Sequence, residues 1–235
     1  MSKLVFDKTG EHFYETGVKD CVLYPFATEA VEFTEGKTNY APGVAWNGIT
    51  SITEKPSGAE ATALYADDRK YLNLISKEDF GVTIEAYTYP DEFAACDGSA
   101  TLAAGVRVGQ QKRQSFGLCY KTSIGDDLNA ADGSVYKLHL VYGCIAAPSE
   151  RAYATVNDSP EAITMSWEVS TTPVELEGFV PMAHVEIDSR TVAKGKLQSL
   201  LDALYGKDAT SEPASNGIEP HLPMPDAIKT MMSAT

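Results

Sequence analysis

The sequence predicts a mainly β fold with one flanking α-helix and extended arms at both ends. Three observations carry that expectation. Four runs alternate apolar and polar residues with a period of two, as strands with one buried face do. Clusters of Gly, Pro, Asp and Ser separate those runs at turn spacing. Only one segment repeats its apolar residues at helical spacing.

The elements follow in chain order. Residues 1–43 mix charges, aromatics and punctuation such as Tyr24-Pro25 and Pro42-Gly43, so they read as an N-terminal arm with one or two short strands. Strand grammar begins at Val44, with weaker candidates at 44–53, 60–67, 70–75 and 81–89. A short helix is expected around 91–96. Phe116, Leu118 and Tyr120 alternate with Gly117, Cys119 and Lys121. Tyr136, Leu138, Leu140 and Tyr142 share a face opposite Lys137, His139 and Val141. Ile163, Met165, Trp167 and Val169 alternate with Thr164, Ser166 and Glu168, and Ala183, Val185 and Ile187 with His184, Glu186 and Asp188. Turns are expected at Lys55-Pro56-Ser57-Gly58, Tyr89-Pro90-Asp91, Asp132-Gly133 and Asp158-Ser159-Pro160.

The flanking helix is read over 191–205, where Leu197, Leu200, Leu201 and Leu204 form one apolar stripe. Asp188 or Ser189 is the expected cap and Gly206 the expected stop. Residues 207–235 form a C-terminal tail bearing Pro213, Pro220, Pro223 and Pro225, with a last short helix at 226–232. The organisation is therefore an arm (1–43), a β domain with its helix (44–206) and a tail (207–235). Both terminal segments read as too irregular for the core.

Composition narrows the function. The chain has 235 residues, enough for a sizeable core, and a formal net charge of −14. Gripping nucleic acid takes clustered Lys and Arg that displace counterions from phosphates, and this balance opposes it. It equally opposes docking on anionic lipid. No apolar run approaches the roughly 20 residues that cross a bilayer. Asp7 and Lys8 interrupt the place where a secretory signal needs an apolar stretch, so the chain reads as cytosolic where it is made. Cys21, Cys96, Cys119 and Cys144 are scattered, as buried small hydrophobes are.

No catalytic or cofactor-binding constellation emerges, and no metal site. The four histidines, His12, His139, His184 and His221, lack the i, i+4 or H-x-H spacing of metal ligands. His139 and His184 lie on polar strand faces, where solvated or cross-strand roles are expected. The run from Asp126 to Gly133 resembles a calcium loop with its last Asp one residue late, and a hairpin loop is the default. The doublets Asp67-Asp68 and Asp91-Glu92 lack a neighbour that would tune a pKa. Asn157-Asp158-Ser159 matches a glycosylation acceptor without a secretion signal beside it.

From Gly43 onward the chain resembles the major tail proteins of long-tailed bacteriophages of Gram-positive hosts. The blocks that carry the resemblance begin with Gly43-Val44-Ala45-Trp46-Asn47-Gly48-Ile49-Thr50 and Gly58-Ala59-Glu60-Ala61-Thr62-Ala63-Leu64-Tyr65-Ala66-Asp67. Lys70-Tyr71-Leu72-Asn73-Leu74 and Thr83-Ile84-Glu85-Ala86-Tyr87-Thr88-Tyr89-Pro90-Asp91-Glu92-Phe93 follow. Phe116-Gly117-Leu118-Cys119-Tyr120, Tyr136-Lys137-Leu138-His139-Leu140-Val141-Tyr142-Gly143, Asn157 to Trp167 and Ser170-Thr171-Thr172-Pro173-Val174 complete the series.

The resemblance implies a tail tube subunit: a β-sandwich or partly closed barrel with a flanking helix, assembled into stacked hexameric rings. It implies a tape-measure protein in the lumen, tail terminator and distal tail proteins at the ends, DNA in transit only, and no cofactor, metal or membrane. The family's long hairpin contributes to ring stacking, and Thr53 to Asp68, with its Pro56-Ser57-Gly58 turn, is the expected equivalent. Pairing of sheet edges between neighbours would satisfy their free backbone groups. Rings and filaments both need heterologous contacts, and an acidic lumen would repel DNA phosphates. The competing expectation is a carbohydrate-binding β-sandwich, with Trp46, Tyr87 or Tyr89 stacking on sugar rings.

Overall fold

The computed structural model describes residues 4–33, 36–156, 158, 162–209 and 217–233. In chain order the strands begin with β1 (Tyr14–Phe33), β2 (Gly36–Tyr40), β3 (Val44–Ala45), β4 (Ile49–Glu54) and β5 (Ser57–Gly58). β6 (Ala61–Ala66), β7 (Arg69–Ile75), β8 (Glu78–Asp79) and β9 (Gly81–Ala86) follow. The short helix α1 (Phe93–Cys96) precedes β10 (Ala100–Ala103), β11 (Val106–Val108), β12 (Phe116–Gly125) and β13 (Tyr136–Ala146). β14 (Met165–Thr171), β15 (His184–Asp188), α2 (Lys194–Tyr205) and α3 (Pro225–Ser233) complete the chain.

Nine strands build the main sheet in the order β2-β1-β12-β13-β14-β9-β4, with β15 also on β13 and β3 also on β1. Every ladder is antiparallel. β1 and β4 approach one another with no ladder between them, so the sheet does not close into a barrel. The fold is mainly β and consistent with a β-sandwich.

The sheet separates two cores, and the alternation read from the sequence sorts residues between them. Phe116, Leu118 and Tyr120 of β12, with Val141, Cys144 and Ala146 of β13, join Trp46, Phe93 and Trp167 in the first. Phe93 is the hub, with its ring centroid 4.4 Å from Trp46, 5.2 Å from Trp167 and 5.5 Å from Phe116. Such pairs add about 0.5–1.5 kcal/mol each beyond buried area. Cys119, Leu138, Leu140 and Tyr142 face the second core, roofed by Leu197, Leu200 and Leu204 of α2 and Ile228 of α3. Leu201 is only partly buried there. The strand at 163–169 begins later than expected, and Ile163 is exposed.

β13 changes partner along its length. Lys137–Val141 pair with β15 and Cys144–Ala146 with β14. Gly143 lies between the two ladders at φ +60°, where an added Cβ would meet the Thr172 carbonyl oxygen at 2.2 Å. Only glycine turns the strand there without collision.

Three expectations are corrected. Residues 14–40 are not an arm: they form the 20-residue β1 and the edge strand β2. Cys21 and Leu23 enter the first core and Val22 and Tyr24 the second, so all four are buried and no period-2 signal remains. The C-terminal segment is also part of the core. Leu222 is fully buried, and the backbone around it is held by Gly43 N–H donating to Pro220 O (2.8 Å) and His221 N–H to Ala203 O (2.7 Å). Thr38 Oγ1 donates to Leu222 O (2.8 Å) and the Tyr142 hydroxyl to Pro223 O (2.9 Å). Prolines suit such an extended strap, since they fix φ and leave no N–H to satisfy. Third, α2 starts at Lys194 with Ala193 at its cap position and no side-chain cap bond. Asp188 instead accepts the Arg190 N–H (2.8 Å) to shape the preceding turn, and Ser189 Oγ accepts the Tyr136 N–H (3.0 Å). The helix does end at Gly206.

The turn expected at Asp158-Ser159-Pro160, the Asn157 acceptor pattern and Pro213 fall on residues outside the described set or next to them.

Candidate assembly surface

The strands from Ile49 to Ala86 form a single hairpin. Thr53 pairs with Thr83, Ser57 with Asp79, Ala61 with Ile75 and Leu64 with Leu72, one register from Ser51 to Leu64 across β4–β9, β5–β8 and β6–β7, with a shift between Ile49 and Ser51 and another between Leu64 and Tyr65. Its inner third lies in the main sheet. The outer part, from Ser57 to Asp79, leaves the body, and every side chain in it but that of Ala63 is exposed. Eleven residues to the tip at about 3.3 Å each give a reach of roughly 35 Å.

The tip is at Asp67-Asp68, both at positive φ (51° and 58°), which is the backbone of a type I′ hairpin turn. Expectation had put the turn at Pro56-Ser57-Gly58, which instead marks the arm's root. Pro56 has no N–H to donate, so the ladder is interrupted there, while Lys55 N–H still bonds Gly81 O at 2.7 Å.

The arm carries apolar side chains into solvent. Leu64 and Leu72 are cross-strand partners, and Leu74, two residues on, shares their face; all three are exposed. Near the tip Tyr65 and Tyr71 are 72% and 71% exposed, and Ile75 at the far end of β7 is 70% exposed. Exposed apolar surface concentrated in this way marks an interaction site rather than ordinary surface composition. A second, smaller hairpin, β10–β11, exposes Leu102 and Val106. β2 and β4 end the sheet path, so each presents an edge.

The residues weighed for chemistry take these places. His12 is part-exposed near Asp7 (2.8 Å) and Asp127 (3.4 Å). His221 is buried with its ring stacked on Phe33 at 4.0 Å. The four cysteines are free and buried, and burial raises every one of their pKa values, to about 12 for Cys96 and Cys119. In the calcium-like loop, Asp126 accepts the Leu128 and Asn129 N–H groups while Asp127 accepts those of Gly10 and His12. Those carboxylates serve as loop staples. Asp91 pairs with Arg107. Trp46 is buried and donates its indole N–H to Thr88 O (2.9 Å), so it offers no face to a sugar.

His139 and His184 come together with Glu54, which no spacing along the chain links to them. Nδ1 of His139 is 3.3 Å from Nε2 of His184 and 3.3 Å from Oε1 of Glu54; Nε2 of His184 is 3.7 Å from the same oxygen. The Tyr120 hydroxyl donates to that oxygen at 2.7 Å. The His139 bond and the Tyr120 bond outweigh desolvation and hold the Glu54 pKa down at about 2. Burial lowers the pKa of His184. Tyr120 stacks on His139 and Phe80 on His184, each with centroids 4.7 Å apart. Positions 54, 139 and 184 obey no spacing rule because three separate strands, β4, β13 and β15, deliver them.

No family model matches the chain, and no curated protein matches it. Among solved structures it is similar to a chain in a six-fold symmetrised cryo-EM structure of the anti-feeding prophage (AFP) baseplate. The TM-score is 0.35 at 8% identity, over 78% of this chain and 97% of that one. So distant a likeness carries nothing about function. No helix among the described residues is long and apolar enough to cross a membrane.

Proposed function

We propose that the chain is a structural phage tail protein whose copies assemble into stacked hexameric rings, forming the tube through which DNA passes to the host. The observation that supports this most is the arm, Ser57–Asp79, with its exposed Leu64, Leu72 and Leu74 face. The partner for that face is a second copy of the chain in the next ring. A hairpin that reaches roughly 35 Å adds no packing to its own subunit, so its apolar residues are explained by contact with a neighbour. The edges at β2 and β4 suit ring closure, because pairing them between copies satisfies backbone groups that solvent otherwise covers. The net charge of −14 suits a lumen that passes DNA without retaining it. A tape-measure protein inside the tube, and tail terminator and distal tail proteins at its ends, complete this reading.

The test replaces residues 60–76 with a two-residue Asn-Gly turn. The full chain is expected to form rings or tubes under negative-stain microscopy. The shortened chain is expected to keep its circular dichroism and melting temperature and to form no stacks. A full chain that stays monomeric at every concentration, or tubes that persist without the arm, would overturn the proposal.

A further inference from the structure

We propose that Glu54, His139 and His184 bind one divalent transition-metal ion, Zn²⁺ fitting best, at the root of the arm. The three atoms that converge are Glu54 Oε1, His139 Nδ1 and His184 Nε2, separated by 3.3, 3.3 and 3.7 Å. Ligands about 2.0–2.1 Å from a tetrahedral ion stand about 3.3–3.4 Å from one another, so the spacing matches a zinc site. Two imidazoles and one carboxylate make a borderline donor set. Calcium and magnesium want oxygen throughout, and softer ions want sulfur.

The bonds around the cluster suit its ligand atoms to an ion. The Thr122 hydroxyl bonds Glu15, so it accepts at 3.0 Å from Nε2–H of His139. With its proton on Nε2, His139 turns the Nδ1 lone pair toward Glu54 and His184, as a ligand must. Glu54 Oε1 takes the Tyr120 hydroxyl as an outer partner. Outer bonds of this kind orient ligands and tune the ion. Around the cluster, Glu15 and Glu186 both pair with Lys137 and Glu15 also lies 3.5 Å from His139 Nε2, so with Glu54 three carboxylates surround the two imidazoles and favour a cation.

Two rearrangements accompany binding. The imidazole rings lie within 8° of parallel, with His184 Nε2 3.3 Å from His139 Nδ1. To take the ion each histidine carries its proton on the ring nitrogen away from it, Nε2 of His139 and Nδ1 of His184, and the rings swing to face a common point. His184 and Glu54 have room to move, because both line a cleft of about 650 Å³ with Phe80, Pro181 and Met182. The cleft also leaves the fourth position open to water, the arrangement of three-ligand zinc sites. The bound ion would tie β4, where the arm begins, to β13 and β15, with which β4 shares no ladder.

The test titrates Zn²⁺ into the full chain, freed of any polyhistidine tag and of metal, by calorimetry, and follows Co²⁺ by its visible absorption. The expected result is one ion per chain with the spectrum of a tetrahedral site, and a rise in melting temperature. Glu54→Gln keeps the shape of the side chain and His184→Gln changes a part-exposed one, so both should stay folded by circular dichroism. Each should weaken binding by more than the 10–100-fold typical of an outer-partner change, and Tyr120→Phe by about 10-fold. No saturable binding by the full chain, or equal affinity in the folded Glu54→Gln and His184→Gln chains, would overturn the proposal. The three residues would then form a hydrogen-bonded cluster that holds no ion.

Discussion

Leu222→Ala tests whether the C-terminal strap belongs to the core. The side chain is fully buried among Tyr40, Leu138 and Tyr142, and its Cδ2 approaches so closely that a Cβ on Gly117 would lie 2.3 Å from it. Truncating a buried leucine removes its transfer energy and leaves a cavity, at a cost of about 2–5 kcal/mol. The backbone here is tethered on both sides by the Thr38, Tyr142 and Gly43 hydrogen bonds, which limits collapse into the void. We therefore expect at least about 3 kcal/mol, or a drop in melting temperature of roughly 6–12 °C for a chain this size. Urea titration followed by circular dichroism and by tryptophan emission reads the loss. Ending the chain at residue 216 should cost more, since the buried Thr38 and Tyr142 hydroxyls also lose their acceptors, at about 1–3 kcal/mol each. A Leu222→Ala loss under about 0.5 kcal/mol, far below the range for buried leucine, would refute the reasoning. So would a truncated chain that melts with the full one.

Other outcomes follow from the same structure. Gly143→Ala should destabilise by at least about 1–2 kcal/mol, the left-handed backbone cost alone, with the Thr172 collision added; a neutral result would mean that β13 does not pivot there. The four cysteines should resist a thiol reagent until the protein is unfolded, and reductant should leave the melting temperature unchanged. Rapid labelling of the native chain would show that a cysteine is accessible. Trp46 and Trp167, 2% and 0% exposed, should emit as buried indoles, and an emission maximum typical of water would place one of them outside the core.

The sequence was most legible where one strand face is buried against one core. The Met165–Val169 and Ala183–Ile187 alternations, and the Leu197, Leu200 and Leu204 stripe, gave real strands and a real helix. It was least legible in β1. Cys21–Tyr24 are all buried, β1 shifts register twice between Thr16 and Val22, and Asp20 adopts φ 51°, so periodicity fails just where the strand is most central. The arm's existence was readable, but its tip was misplaced because Pro56 and Gly58 are stronger turn signals than two aspartates. Asp67-Asp68 did hold a usable cue, since Asp tolerates left-handed backbone. The Glu54–His139–His184 cluster left no trace, because tertiary folding alone unites residues so far apart in sequence.

The register shared by the hairpin from Ser51 to Leu64 has a mechanical consequence. Force applied at the tip runs down both legs along the strand axes into β4 and β9. β9 lies between β4 and β14 and bonds both along its length, from Gly81–Ser170 to Ala86–Met165 on one side and from Val82–Glu54 to Ala86–Ile49 on the other. Antiparallel ladder bonds stand perpendicular to the strands, so an axial pull loads them in shear and all must yield together. A peeling force would break them one by one. The arm is therefore anchored as a tension member, resisting pulls along its length better than sideways bending at Pro56, where the ladder is broken.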